Sequence, residues 1–166
     1  MSPHDRSSNI GVHIAVALST FIAFVLTIVQ LPSWLFHFWP DWIALILVYW
    51  ALMVPGRIGP FTGFLIGTLL EVLFVRTFGV LGLGLAVLIF LVSALSQQLK
   101  MLSMWQQMLF VGLFVGIFKL LTGWLYGIVD DFAITKEYWY SLLGGMLVWP
   151  FVFILLDEMR RKARIR

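Results

Sequence analysis

The hydrophobic pattern divides the chain into long apolar segments separated by short polar ones. Between Ser7 and Pro40 there is no Asp, Glu, Lys or Arg at all. A helix needs about 20 apolar residues to cross the hydrocarbon core of a bilayer. The pattern predicts six such segments, at about residues 10–31, 41–54, 58–75, 79–99, 104–128 and 138–156. The second segment is short, so an earlier start in the preceding aromatic stretch is an open alternative.

The composition is that of an integral membrane protein. Of the 166 residues, 61% are hydrophobic and 11% are charged, and the mean hydropathy is +1.00. A typical soluble domain is about 45–50% apolar and about 25% charged. One globular core cannot hide this excess, because a surface in water needs charged side chains. We therefore predict an all-α fold, a polytopic bundle of six transmembrane helices that forms a single membrane domain over residues 1–166.

The basic residues indicate how the bundle is oriented. With a cytoplasmic N-terminus, six crossings put eight basic residues inside and two outside, the asymmetry of the positive-inside rule. The inside set is Arg6, Arg57, Lys100, Arg160, Arg161, Lys162, Arg164 and Arg166, and the outside set is Arg76 and Lys136. Both termini are therefore expected in the cytoplasm, with the acidic loop at Asp130 and Asp131 outside. The basic tail indicates an anchor on anionic lipid rather than a nucleic-acid site.

Glycines at four-residue steps mark predicted helix-packing faces in two segments. Helix backbones approach closely where small residues form such a row. The glycines are Gly59, Gly63 and Gly67 in the third segment and Gly112, Gly116, Gly123 and Gly127 in the fifth. At about 100° per residue, Glu71 continues the first row and Lys119 lies within the second. Both charges should therefore face packed helices rather than lipid.

Glu71 and Lys119 are candidates for an intramembrane ion pair. Their segments run in the same direction, and at about 1.5 Å per residue the two charges reach a similar depth in the outer half of the membrane. The alternative is that each side chain extends separately to the outer interface, since Glu71 is only about one turn from its helix end. A catalytic or proton-relay role is the weaker interpretation of these charges.

The remaining polar residues form no catalytic or metal-binding pattern. The chain has no Cys, which excludes disulfides and thiolate metal sites. His4, His13 and His37 are scattered, without the paired spacing or carboxylate partners of a metal site. Ser and Thr in the apolar segments have no His to activate them and usually bond to helix carbonyls. The sequence therefore predicts a protein that is not an enzyme and uses no cofactor or metal.

Four short motifs follow one another along about residues 30–160. They are Trp39-Pro40-Asp41-Trp42 leading to Tyr49-Trp50, Gly63 to Gly67 leading through Glu71 to Gly79-Val80, Trp105-Gln106-Gln107, and Leu147-Val148-Trp149-Pro150. In this order and spacing they resemble the MreD family of bacterial rod shape-determining membrane proteins. Relatives usually carry Asp where Glu71 stands and often an acidic residue where Lys119 stands. An ion pair common to the family is therefore not implied.

The resemblance implies a six-helix protein of the bacterial inner membrane that acts in the cell-wall elongation machinery, and so in peptidoglycan synthesis and cell shape. The implied direct partner is MreC, a single-span protein with a periplasmic domain. Through MreC the implied partners are MreB filaments, RodA and a class B penicillin-binding transpeptidase. The family also resembles the substrate-binding (S) components of vitamin transporters in fold.

Two functions of different classes follow from these observations. One is a scaffold that binds the span of MreC on a glycine-lined or aromatic face. The other is a membrane component of a transporter that binds a small molecule between its helices. Such a binder needs a cavity lined by convergent polar groups, and the outer half offers mainly Glu71, Lys119, Gln30 and some hydroxyls. We therefore favour the scaffold.

Overall fold

The computed structural model describes residues 3–29, 38–75, 77–129 and 136–165, and in these ranges it contains seven α-helices and no β-strand. In chain order they are α1 (Pro3–Ile28), α2 (Trp42–Met53), α3 (Pro60–Phe74), α4 (Val80–Ala94), α5 (Ser96–Lys100), α6 (Met104–Val129) and α7 (Lys136–Ile165). The all-helical prediction is confirmed for this part of the chain. The predicted outer-loop residues Asp130, Asp131 and Arg76 lie outside the described residues, as do Gln30 and His37.

The helices differ from the predicted segments mainly at their ends. α2 begins at Trp42, and residues 39–41 are not helical, so the helix does not start earlier in the aromatic stretch. The fourth segment is divided at Leu95 into α4 and α5. α7 continues past residue 156 because ion pairs at helical spacing support its charged end. These pairs join Asp157 to Arg161 and Glu158 to Lys162, each at 2.8 Å.

α2 is the centre of the bundle. Its sequence is apolar on every side, which is typical of a helix surrounded by other helices. Ten of its twelve residues are buried, and it contacts α1, α4, α5 and α7. The Trp50 indole donates a hydrogen bond to Ser19 Oγ at 2.8 Å, and the Tyr49 hydroxyl donates one to Asp157 Oδ1 at 3.3 Å. These two aromatic side chains are therefore buried without leaving a donor unpaired.

α3 and α4 form a closely packed hairpin, and α4 is the main neighbour of α3. α3 begins with Pro60, at a position where no backbone N–H is needed. The turn passes through two left-handed residues, Val75 at φ 50° and Gly79 at φ 94°, and this conformation favours glycine at the second. The helices approach so closely that a Cβ added at Gly67 would lie 2.5 Å from Gly82 Cα. Glycine is therefore required at this crossing.

The outer surface of the bundle is apolar. Three helical stretches are long and apolar enough to cross a membrane, namely Gly11–Ile28, Met104–Val129 and Tyr138–Lys162. They expose large hydrophobic side chains, such as Phe21 in α1 and Leu147 in α7. Exposed apolar area of this extent is typical of a surface that contacts lipid.

Candidate functional site

Lys119 on α6 is a buried cation with two partners. Its Nζ lies 2.8 Å from Asp41 Oδ2 and 4.2 Å from the centroid of the Tyr138 ring. The Lys119 side chain is 5% exposed, whereas that of Asp41 is 40% exposed. A buried ammonium group is tolerated only when its charge is compensated. The carboxylate of Asp41 and the π-face of Tyr138 provide that compensation.

Asp41 joins the start of α2 to α6. Its backbone carbonyl accepts a hydrogen bond from the Leu45 N–H at 3.0 Å, while its carboxylate contacts Lys119. Oδ2 is itself buried and accepts no hydrogen bond from any residue that the structure describes. The 2.8 Å contact with the ammonium group therefore lacks hydrogen-bond alignment and acts as an attraction between two close charges.

Hydroxyl groups connect α6 to the start of α7 beside this ion pair. The Tyr138 hydroxyl donates a hydrogen bond to the Lys119 carbonyl at 3.1 Å, and it lies 3.1 Å from Thr122 Oγ1. The Thr122 hydroxyl also donates to the Phe118 carbonyl at 2.8 Å. Tyr138 thus bonds to Lys119 through its hydroxyl and contacts the ammonium group with its ring, which fixes the position of α7 against α6.

Glu71 on α3 is 1% exposed, and its charge is compensated by backbone groups rather than by a cation. The carboxylate accepts hydrogen bonds from the N–H groups of Gly79, at 2.6 Å, and Leu81. The first N–H groups of a helix have no partner within the helix, and the helix dipole favours a negative charge there. Tyr126 on α6 adds a longer bond to the carboxylate at 3.5 Å. Glu71 therefore caps α4 from the neighbouring helix.

The structure differs from the expected pairing of Glu71 with Lys119. Each charge has its own partners, and the ion pairs within the described residues include none between these two. The alternative in which both side chains extend to the interface does not hold either, because Glu71 and Lys119 are only 1% and 4% exposed. The physical reason is proximity, since the hairpin brings the start of α4 directly to Glu71.

The glycine row of α3 faces α4. A Cβ added at Gly63 would lie 2.9 Å from the Leu85 carbonyl oxygen, and Gly67 contacts Gly82 as described above. Gly59 precedes α3 and has no atom within 4 Å of an added Cβ. The inner face of this row is therefore occupied by the chain itself and is not open to a partner helix.

The glycine row of α6 faces α7 in part. A Cβ added at Gly112 would lie 2.5 Å from Met146 Sδ, but one added at Gly116 would meet its nearest atom, Leu142 Cδ2, at 3.8 Å. Gly123 is buried and Gly127 is half-buried. Close approach therefore requires glycine at Gly112 more than at Gly116.

The Trp105-Gln106-Gln107 motif forms the start of α6. Gln106 Oε1 accepts a hydrogen bond from the Ser103 N–H at 3.1 Å, as in the reciprocal half of a Ser-x-x-Gln capping box. The buried Gln107 donates from Nε2 to the Leu99 carbonyl at 3.0 Å. Trp105 is 76% exposed, a position typical of an indole at the membrane interface. This motif fixes the connection from α5 to α6.

The other motif residues are mostly in the core. Tyr49, Trp50 and Trp149 are each 0% exposed. The Phe153 ring lies between two of them, with its centroid 5.5 Å from that of Tyr49 and 6.0 Å from that of Trp149. Pro40 precedes α2, Gly79 is the left-handed residue before α4, and Pro150 lies within α7, which continues through it. These residues are spread over the bundle and do not converge on one site.

Asp41, Tyr138 and Asp157 complete these contacts but were not identified from the sequence as site residues. Asp41 carried a usable signal, because a carboxylate directly after a proline and before an apolar helix is well placed to meet a buried cation. Tyr138 and Asp157 gave no such signal, since each bonds to a residue on another helix. Across the described ranges no group of three or more His, Cys, Asp or Glu side chains is placed to hold a metal ion.

The helices, the lipid-facing surface and the internally compensated charges define a helical integral membrane protein. The family model of the rod shape-determining protein MreD matches residues 8–159. The rod shape-determining protein MreD of Haemophilus influenzae is 32% identical over 149 residues, which cover 87% of this chain and 89% of that protein. No solved structure gives a significant match. The chain belongs to the MreD family, and the resemblance found in the motifs is confirmed.

Proposed function

We propose that the protein is a scaffold of the cell-wall elongation complex, which maintains rod shape by binding MreC and supporting peptidoglycan synthesis. Membership of a rod shape-determining family is the observation that carries this proposal. MreC is the direct partner, and MreB, RodA and a class B penicillin-binding transpeptidase join through the complex. The protein is not an enzyme and binds no nucleic acid in this proposal.

The way in which the buried charges are used supports a scaffold over a small-molecule binder. Lys119 is engaged by Asp41 and Tyr138, and Glu71 is engaged by the start of α4. A binding site needs polar groups that converge on a cavity and remain available to a ligand. Here the strongest polar groups bond neighbouring helices to one another, which suits a protein that presents a fixed surface to its partners.

The partner's helix is expected on a face that the chain leaves uncovered. The row of Gly63 and Gly67 is filled by α4, so bulky residues there would loosen the bundle rather than only the complex. The opposite face of α3 exposes Phe61, Leu65 and Leu69. An apolar face with one aromatic side chain is a suitable surface for a single transmembrane helix.

The proposed topology has six crossings in the bacterial inner membrane with both termini in the cytoplasm, in a fold like that of the S components of vitamin transporters. α2 has 12 residues and α3 has 15, so at about 1.5 Å per residue they extend over roughly 18 and 22 Å. Contact with longer helices allows α2 to be short. Reporter fusions after Lys100 and after Arg166 should be cytoplasmic and one at Asp131 periplasmic, because of the basic asymmetry. A cytoplasmic signal at Asp131 would contradict six crossings.

Co-expression with MreC tests the proposed function. The purified protein should form a stoichiometric complex with MreC, and replacing the span of MreC by an unrelated apolar helix should abolish it. Leu65→Ala and Leu113→Ala are matched variants on different faces, since the side chains are 52% and 56% exposed. We expect only Leu65→Ala to weaken the complex. A metabolite that co-purifies without MreC would instead favour the transport component.

A further inference from the structure

A cleft lies between the start of α6 and the end of α7. It has a volume of about 380 Å³ and is lined by Met104, Phe153, Ile154, Asp157, Glu158 and Arg161. Along α7 the lining changes from apolar, at Phe153 and Ile154, to charged. The apolar stretch of α7 ends at the same level, where Leu156 is followed by Asp157. The cleft therefore offers both an apolar and a charged surface at the edge of the bilayer.

The charged rim carries one positive charge in excess. Asp157 accepts hydrogen bonds from Arg160, at 2.5 Å, and from Arg161, at 2.8 Å, so one carboxylate faces two guanidinium groups. Glu158 is paired with Lys162 at 2.8 Å. Arg161 bonds to Asp157 through Nε alone and its side chain is 75% exposed. Because a guanidinium group has five N–H donors, Arg161 can bind a second anion.

We propose that this cleft binds an anionic glycerophospholipid, with the lipid phosphate on Arg161 and the upper part of one acyl chain along Phe153 and Ile154. Guanidinium groups match phosphate oxygens in geometry and charge, and the apolar wall matches hydrocarbon. The ammonium group of a zwitterionic lipid would find both carboxylates of the rim already paired. The ligand class is therefore a phosphodiester with an uncharged headgroup, such as phosphatidylglycerol. This site does not depend on MreC.

The test compares lipid binding to the full chain in a neutral detergent. Native mass spectrometry measures the dissociation constants of short-chain phosphatidylglycerol and of phosphatidylcholine with the same chains. Arg161→Gln should raise the constant for phosphatidylglycerol about fivefold, as expected for one basic residue near an anionic lipid. Asp157 keeps Arg160 as a partner in this variant. Lys162→Gln is the matched control, because it removes the same charge from a side chain that is 76% exposed and outside the cleft. It should change the constant less than twofold.

A second variant separates the cleft from the charge. Met104→Trp fills the apolar wall without changing any charge, and it should also weaken phosphatidylglycerol binding while thermal unfolding stays close to that of the unmodified protein. Equal losses in Arg161→Gln and Lys162→Gln would mean diffuse attraction by the basic tail and would overturn the site. Equal affinity for the two lipids, or full binding in Met104→Trp, would overturn it as well.

Discussion

Glu71 and Lys119 are both charged and almost fully buried, yet their charges are compensated at different distances along the chain. Glu71 bonds to N–H groups eight and ten residues later, within one hairpin. Lys119 pairs with Asp41, which precedes α2 and is separated from α6 by three other helices in the sequence. The first arrangement can form as soon as α3 and α4 meet. The second forms only when α2, α6 and α7 are assembled.

This difference determines which residue is costly to replace. A carboxylate held by backbone N–H groups has partners that no side-chain substitution removes, so its contribution is lost only when Glu71 itself is changed. An ion pair between side chains has two members, and removing either leaves the other charge alone. The cost then depends on how deeply the remaining member is buried. Lys119 is 5% exposed and Asp41 is 40% exposed, so the two deletions are not equivalent.

Asp41→Asn should have the largest effect, because it leaves the buried Lys119 ammonium without a carboxylate. We expect a loss of about 3 kcal/mol in the free energy of unfolding, measured by thermal or denaturant unfolding of the detergent-solubilised protein. Lys119→Met should cost less than half as much, because water can reach Asp41. The double variant should recover most of the loss. Equal costs for the two single variants would contradict the asymmetry of burial.

Gly67→Ala tests the close crossing that brings Glu71 to the start of α4. An added Cβ would lie 2.5 Å from Gly82 Cα, so the helices must separate, and we expect a loss of about 2–3 kcal/mol. Gly116→Ala is the matched control, since its Cβ would meet Leu142 at an ordinary 3.8 Å. That variant should be neutral or slightly stabilising, because Ala favours helix by about 0.8–1.0 kcal/mol over Gly. Similar losses in both variants would show that glycine itself, rather than the crossing, is required.

Glu71→Gln should weaken the cap of α4 by about 1.5–2 kcal/mol, because the amide keeps one acceptor oxygen but loses the charge. The change should appear as faster hydrogen exchange at Gly79 and Leu81, together with a lower unfolding temperature. Glu158→Gln is the matched control on an exposed ion pair, 62% exposed, and should cost at most about 1 kcal/mol. Unchanged protection at Gly79 would mean that the carboxylate does not cap α4.

The smallest expected effect is the coupling between the two sites. Because Glu71 and Lys119 have separate partners, Glu71→Gln and Lys119→Met should add within about 0.5 kcal/mol in a double-mutant cycle. The sequence had suggested the opposite, a rescue in the double variant. A coupling well above 1 kcal/mol would restore the ion pair that the sequence suggested.

Several features of the bundle could be predicted because they depend on local patterns. The apolar runs located the helices, and four-residue spacing located the packed faces of Gly63 and Gly67. The end of α7 was placed too early, because a run of charged residues was treated as tail when its ion pairs sustain the helix. The partners of Lys119 and Tyr49 could not be predicted, since periodicity within one helix carries no information about which distant helix lies beside it.

The bond between Tyr49 and Asp157 sets an order of events during synthesis of the chain. The two residues are 108 positions apart, and at about 5–20 residues per second a ribosome needs roughly 5–20 s to make the intervening chain. For that interval α2 is complete while α7, one of its neighbours, has not yet been made. A chain interrupted before α7 would leave the hydroxyl of Tyr49 without its carboxylate and one side of α2 uncovered. The last helix therefore closes the core, and the exposed aromatic side of α2 distinguishes an unfinished protein from a finished one.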